Sequence, residues 1–248
     1  MDIDFWQLIT LGFFAQLIDG ALGMAYGTLS ATVLLSLGLP PSIASASVHT
    51  AEIVTTGISG ASHYWYKNID FKIVKRIAIP GIIGAIIGAY ILTEIPGNVI
   101  KPYVSGYLFI LGIVILLRAL SKIEKVKIFF KDLEIFALFG GFLDTIGGGG
   151  WGPILASSLI ATGRTPRYVI GSVNFAEFFI SLTASIVFIL TLNNFDTYWK
   201  ISLALLIGGA IAAPFAAKIT QKIPRKLLMF FVGCLIVLLS LNNIFKFI

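Results

Sequence analysis

Long apolar stretches, separated by short polar loops, run through the whole chain. They form two sets of five, and the first two stretches of each set are shorter than the rest. The first set covers 5–18, 24–37, 43–66, 73–92 and 99–117, and the second covers 133–143, 151–161, 168–192, 198–217 and 227–245. A helix needs about 20 apolar residues to cross a hydrocarbon core of about 30 Å. The pattern therefore predicts an all-α polytopic membrane protein.

The short stretches predict two broken helices. Each has 11 to 14 residues, which at about 1.5 Å per residue cover only about 16–21 Å. The two members of each pair are separated by glycine-rich sequence, so we expect two half-helices that meet inside the membrane. Unpaired backbone groups are tolerated at that depth only where protein buries them or a watery cavity lies beside them. Both breaks should therefore border a site.

The two sets are related by an offset of 125 residues. When 19–52 is aligned with 144–177 without a gap, eleven of thirty-four positions are identical, whereas biased composition would give about three or four. We therefore predict an internal repeat. Each copy has one aspartate before the break and one glutamate in the long segment that follows, namely Asp19 and Glu52 in the first copy and Asp144 and Glu177 in the second.

The basic residues predict how the repeats lie in the bilayer. If each half-helix pair enters and leaves on one side, fifteen of the 18 Lys and Arg residues share a face, which the positive-inside rule makes cytoplasmic. The repeats are then inverted, and both termini are extracytoplasmic. The location expected is the inner (cytoplasmic) membrane of the cell. The parts are a first repeat at 1–117, a basic cytoplasmic connecting loop at 118–132 and a second repeat at 133–248, each repeat being a half-helix pair plus three spans.

Composition excludes several classes of protein. Hydrophobic residues make up 57% of the chain and charged residues 12%, with a mean hydropathy of +0.95, whereas globular proteins are about a quarter charged. The net charge of +6 comes from short loops between spans, so we expect a lipid bilayer as partner and no nucleic acid. A lone cysteine excludes an internal disulfide, and no cofactor or metal site is predicted. Two histidines without a paired nucleophile do not indicate an enzyme.

Several motifs carry a family resemblance. The second break reads GGGGWGP at 147–153, the following segments contain SVHTAE at 47–52 and SVNFAE at 172–177, and a downstream span in each half ends in Ile-Pro. The chain resembles the TauE/SafE family of sulfite exporters. The resemblance implies a secondary transporter, and an exporter, of sulfite, organosulfonates or related small sulfur-containing anions. The first break, GALGMAYG at 20–27, departs from the family's plain triple glycine.

The glycine-rich breaks are the predicted anion site. No Lys or Arg lies inside an apolar stretch near them, so the anion should rest on amide groups at the N-termini of the second half-helices, where the helix dipole is positive. Tyr26 and Trp151 would wall the pocket and donate hydrogen bonds. The long helices would add His49 and Asn174. The remaining predicted binding residues are Gly23, Met24 and Gly27 in the first break and Gly148, Gly149, Gly150 and Gly152 in the second.

Four carboxylates inside the membrane are the predicted coupling groups: Asp19, Glu52, Asp144 and Glu177. They would couple the movement of the anion to protons or sodium ions. Two structural alternatives remain open, because the aspartates could cap neighbouring amides and the glutamates could be polar anchors between helices. An alternative function is also open, a cation-handling transporter in which the carboxylates bind the cargo itself. The sequence leaves the choice between a monomer and a homodimer undecided.

Overall fold

The computed structural model describes residues 4–120, 132–192, 195–219 and 224–246. Helices connected by short turns account for nearly all of these residues, and the described ranges contain no strand. In chain order the helices are α1 (Phe5–Leu22), α2 (Tyr26–Ser36), α3 (Pro41–Trp65), α4 (Phe71–Glu94), α5 (Gly97–Leu120), α6 (Leu133–Gly147), α7 (Gly152–Ala161), α8 (Pro166–Thr191), α9 (Phe195–Ile219) and α10 (Arg225–Phe245).

The predicted fold class is confirmed, and the chain is an all-α polytopic membrane protein. Among the described helices, α4, α5, α8 and the part of α10 from Lys226 are long and apolar enough to cross a bilayer. Helix α3 has 25 residues, but buried Ser, Thr, His and Glu side chains lie along it. Polar side chains at this depth must face protein or a cavity rather than lipid. Helices α3 and α8 pack against each other at the centre of the molecule.

Local sequence sets several helix boundaries. Pro41 and Pro166 occupy the first turns of α3 and α8, where a missing amide hydrogen costs nothing. Asp70 caps α4 by accepting a hydrogen bond from the backbone nitrogen of Lys72. Helix α7 begins with a π-helical turn at Gly152–Ala156 and continues as an α-helix. Such turns are rare and are often found at functional sites.

The two halves of the chain pack in matching ways. The bounds of α1 to α5, shifted by 125 residues, agree with those of α6 to α10 to within three residues at each end. Helix α1 packs on α9, and its counterpart α6 packs on α4, the counterpart of α9. Helices α3 and α8, and likewise α5 and α10, pair with their own counterparts. These matching helix contacts support the proposed repeat. The inverted orientation of the two repeats in the bilayer stays a prediction.

The structure changes three predicted boundaries. Helices α1 and α6 continue to Leu22 and Gly147, beyond the predicted ends at 18 and 143, and Asp19 and Asp144 lie in their last turns, at the C-terminal ends where the sequence placed them. Helix α5 continues to Leu120, so Arg118 is helical and is not part of the connecting loop predicted at 118–132. Residues 121–131 of that loop lie outside the described residues.

Candidate functional site at two crossed helix breaks

The two glycine-rich breaks cross each other, backbone against backbone. We name residues 23–25, between α1 and α2, the first break, and residues 148–151, between α6 and α7, the second break. A Cβ atom added at Gly27 would lie 2.8 Å from the carbonyl oxygen of Gly148 and 2.9 Å from Cα of Gly149. A Cβ atom added at Gly149 would overlap the backbone of Gly27 and the nitrogen of Thr28. These glycines are therefore required for the crossing itself.

Each break starts with the same turn. Gly23 and Gly148 both have φ of +68°, in the left-handed region that glycine adopts at little cost. Their amides bond back to the carbonyl oxygens of Asp19 and Asp144. Ala25 is the exception among these backbone conformations, because it holds φ of +108° although it has a side chain.

Both aspartates reach across their breaks and cap the helix that follows. Asp19 Oδ1 accepts a hydrogen bond from the amide of Tyr26 at 3.2 Å, and Asp144 Oδ1 accepts one from the amide of Trp151 at 2.8 Å. The capping contacts that the sequence left open are thus present in both halves. These carboxylates occupy two of the amides that the sequence analysis assigned to the anion, so an anion must displace them to use those amides.

Asp144 also pairs with His49 of α3. Their Oδ2 and Nε2 atoms are 3.2 Å apart, and both side chains are buried. Nδ1 of His49 lies 2.9 Å from the carbonyl oxygen of Ser45, whose hydroxyl donates to the carbonyl oxygen of Thr145. Because a carbonyl oxygen can only accept, Nδ1 is the donor in that contact, and Nε2 faces the carboxyl group of Asp144.

All four predicted carboxylates line one small central cavity at the crossing. The cavity has a volume of about 10 Å³, roughly the room of one water molecule, so the structure is closed around them. Glu52 accepts a hydrogen bond from the hydroxyl of Ser181 at 3.3 Å, and its other oxygen lies against Gly27. Four glycines border the same cavity: Gly149 and Gly150 of the second break, Gly27 in the first turn of α2 and Gly152 at the start of α7.

A second small cavity lies beside the first break, and we name it the first-break cavity. It shares Asp19, Glu52 and Glu177 with the central cavity. Asn174, the counterpart of His49, borders it and donates to the hydroxyl of Ser59 at 3.0 Å. Thus the histidine faces the second break, while the asparagine faces the first.

The remaining predicted binding residues lie around the cavities in different ways. Tyr26 borders both cavities, and its hydroxyl donates to the carbonyl oxygen of Leu205 on α9 at 3.1 Å. Trp151 is fully buried, donates to the carbonyl oxygen of Val173 at 3.1 Å and is not among the residues that line either cavity. Gly23, Met24, His49 and Gly148 are also not among the residues that line either cavity.

Two residues of α5 that the sequence analysis did not select hold the second break. The Tyr107 hydroxyl donates to the carbonyl oxygen of Gly149 at 3.2 Å, and its ring packs on Gly147. The half-buried guanidinium of Arg118 donates to the carbonyl oxygen of Pro153 at 3.3 Å. Pro153 is the second residue of α7, next to the second break. A cation therefore lies closer to the second break than the sequence indicated. Its position at the end of an apolar stretch was the one available signal.

Comparison with known proteins agrees with this architecture. Residues 8–243 match the family described as sulfite exporter TauE/SafE. The chain is 42% identical over 241 residues to a "Probable membrane transporter protein YtnM" of Bacillus subtilis (strain 168), covering 94% of this chain and 80% of the relative. It is 23% identical over 253 residues to "Probable membrane transporter protein YjnA" of the same organism, covering 96% and 99%. No solved structure gives a significant match. The chain belongs to the sulfite exporter TauE/SafE family of membrane transporters.

Proposed function

We propose that this membrane transporter exports sulfite or a small organosulfur anion and couples this movement to protons or sodium ions through its four buried carboxylates. One observation carries the proposal: two helix breaks cross each other, and Asp19, Glu52, Asp144 and Glu177 line a small cavity at the crossing. Binding at such breaks is typical of secondary transporters built from repeats. The cargo and the direction rest on the family's description.

The N-termini of α2 and α7 are the proposed anion site. Both helices begin at the central cavity, which Gly27 and Gly152 border, and helix N-termini attract anions through free amides and the helix dipole. In the closed structure the aspartates hold the amides of Tyr26 and Trp151. A bound anion would therefore replace the aspartate carboxylates as the hydrogen-bond acceptor of these two amides. Arg118, on the cytoplasmic side by the predicted topology, would draw anions toward this end.

Electrostatic repulsion links the anion to the coupling ion. Two unit charges of the same sign 4 Å apart repel by about 4 kcal/mol at an effective dielectric constant of 20. An anion beside several ionised carboxylates would meet this repulsion more than once. Neutralisation of the carboxylates by protons or a cation removes it and weakens the hold of Asp19 and Asp144 on the two amides. The anion therefore binds together with its coupling ions.

A second function has one observation in its favour. No described Lys, Arg or His side chain lines either cavity, whereas three or more carboxylates line each. This donor set also suits a transporter whose cargo is the cation. Competition separates the two functions, because sulfite and the cation stabilise the same purified protein jointly if they are co-transported, and sulfite has no effect if the cation is the cargo.

Flux into proteoliposomes tests the proposal. With sulfite, methanesulfonate, sulfate and thiosulfate offered under imposed proton or sodium gradients, we expect gradient-driven movement of sulfite or the sulfonate. Replacing Glu52 or Glu177 by Gln should leave folded protein but lower gradient-driven flux at least about tenfold, because a group that binds the coupling ion is removed. No movement of any of the four anions, with cation flux intact, would assign the cavity to cation transport.

A further inference from the structure

Two buried side-chain amides beside the first break have oxygens without a hydrogen-bond partner. They are Oε1 of Gln16 on α1 and Oδ1 of Asn174 on α8. Both residues line the first-break cavity, and their side chains are 5% and 4% exposed. A buried amide oxygen without a donor is unfavourable and rare in folded proteins. This pair in one cavity indicates that the cavity binds a small ligand.

The surrounding groups present oxygen lone pairs to the same space. The hydroxyls of Thr55 and Thr56 donate to the carbonyl oxygen of Glu52, which leaves their lone pairs free. The hydroxyl of Ser59 accepts from the Asn174 amide nitrogen. Tyr26 and the carboxylates of Asp19, Glu52 and Glu177 complete the lining, and no described basic side chain is part of it. The cavity is thus lined by oxygen ligands of negative or neutral charge.

We propose that the first-break cavity is a sodium site, with the amide oxygens of Gln16 and Asn174 and the carboxylate of Asp19 among its ligands. Hard cations are bound by carboxylate, carbonyl and hydroxyl oxygens. The cavity has a volume of about 10 Å³, room for one water-sized body. Mg²⁺ retains several of its water molecules, for which this space is too small. A bare monovalent cation fits both the ligands and the size.

The second half of the chain lacks this set of ligands. Under the offset of 125 residues, Gly141 stands in place of Gln16, and His49 stands in place of Asn174. His49 is already paired with Asp144, and a residue without a side chain supplies no ligand. No group of three or more His, Cys, Asp or Glu side chains in the described part of the chain is arranged to hold a metal ion, so amide oxygens are essential to the site. We therefore expect one sodium ion per chain.

The role of sodium as the coupling ion rests on the proposed function. Sodium binding itself can be measured without any anion. Thermal unfolding of the purified full-length protein in detergent is compared in NaCl, KCl and choline chloride at equal ionic strength. Sodium at about 100 times its dissociation constant should raise the midpoint by about 5 °C over choline, and potassium should do less. Binding of ²²Na⁺ should reach one ion per chain.

Variants assign the effect to the two amides. Gln16→Met and Asn174→Leu remove the amide oxygens at nearly constant volume, and Ser59→Ala is a milder change at the same cavity. The two amide variants should lose most of the sodium-dependent shift, and Ser59→Ala should lose a smaller part of it. Ser105→Ala is the matched control, because Ser105 is also buried with an unpaired hydroxyl but does not line the cavity. Its shift should equal that of the parent.

The outcomes distinguish this inference from the proposed function. Equal midpoints in NaCl, KCl and choline chloride, or a sodium shift that survives in both amide variants, would overturn the sodium site. Sulfite flux driven by protons and indifferent to sodium would overturn its coupling role and leave the proposed function in place. Sodium binding without flux of any sulfur-containing anion would retain the site and reject the anion cargo.

Discussion

The two helix breaks have nearly the same backbone but very different surroundings. At the second break, Asp144 is 1% exposed, pairs with His49 and accepts the Trp151 amide at 2.8 Å. At the first break, Asp19 is partly exposed, and it accepts the Tyr26 amide at the longer distance of 3.2 Å. Its neighbour Asn174 keeps an unpaired oxygen. One break is closed by its own hydrogen bonds, whereas the other borders an unsatisfied polar cavity.

This difference indicates that the two copies of the repeated unit have different roles. The buried pair of Asp144 and His49 fixes the second break, because removing one partner from a buried ion pair is costly. Tyr107 and Arg118 add hydrogen bonds from α5 to the same region. At the first break, the described contacts include no ion pair of Asp19, and polar groups around this break remain available to a ligand. We infer that ions bind at the first break and that the second break keeps its position during binding.

Orientation in the membrane gives the largest expected difference between the breaks. Pro40 and Thr165 are exposed equivalent residues in the loops after α2 and α7. With Cys234 replaced by Ala, a cysteine at position 40 should react with an impermeant thiol reagent only from outside, and one at 165 only from the cytoplasm. Labelling of both from the same side would contradict the inverted repeat.

Gly149→Ala should have the next largest effect. The added methyl group would overlap the backbone of Gly27 and Thr28, which cannot move without separating the two breaks. We expect a loss of more than about 4 kcal/mol of stability, seen as loss of folded protein in size-exclusion chromatography. Gly106→Ala is the matched control, because a Cβ atom there meets nothing within 4 Å. It should gain up to about 1 kcal/mol from helix propensity. Equal behaviour of the two variants would contradict the crossing.

The two aspartates should respond differently to the same substitution. Asparagine can still cap a helix, so Asp19→Asn should cost about 1 kcal/mol or less. Asp144→Asn also breaks the buried pair with His49 and should cost about 3 kcal/mol. Thermal unfolding of both variants measures the difference. Adding His49→Asn to Asp144→Asn should recover most of the loss, since Asn174 already stands at this position in the other half. Additive losses would indicate that the pair contributes nothing specific.

Ala25→Gly should have the smallest effect. Ala25 has φ of +108°, where glycine is less strained, and Gly150 occupies the equivalent position in the second break. Relief of strain should raise stability by about 0.5–1 kcal/mol, which is about 1–4 °C in the unfolding midpoint. Ala31→Gly, on the helical part of α2, is the control and should lower stability by a similar amount. A lower midpoint for Ala25→Gly would show that this conformation carries no strain.

Much of the fold was predictable from the sequence, because apolar stretches must match the thickness of a bilayer and glycine runs cannot continue a helix. The half-helices and their breaks follow from these two facts. Asp19 and Asp144 stood out because few acidic residues lie at membrane depth. Their capping contacts were left as an alternative, since the direction of a side chain depends on the turn that follows it.

Other features depend on contacts between distant parts of the chain. Nothing near Tyr107 in the sequence indicates that its hydroxyl reaches Gly149, and Arg118 looked like a loop residue because the end of α5 was placed too early. From the sequence alone, Gly149 was expected to let the anion approach the backbone. The structure adds a steric reason for that glycine, because the other break lies against it. Gln16 gave no signal, since its importance comes from an unpaired oxygen in a cavity.

We propose that the anion and the neutralising cations bind together at the crossing of the breaks. Its most direct test is the calorimetric affinity of the purified protein for methanesulfonate, which stays singly charged across the accessible pH range. We predict that saturating sodium, or a lower pH in its absence, increases this affinity at least about tenfold, which is about 1.4 kcal/mol of coupling. By reciprocity, methanesulfonate should increase the affinity for sodium by the same factor by which sodium increases the affinity for methanesulfonate. An affinity unchanged by sodium and by pH would contradict the account.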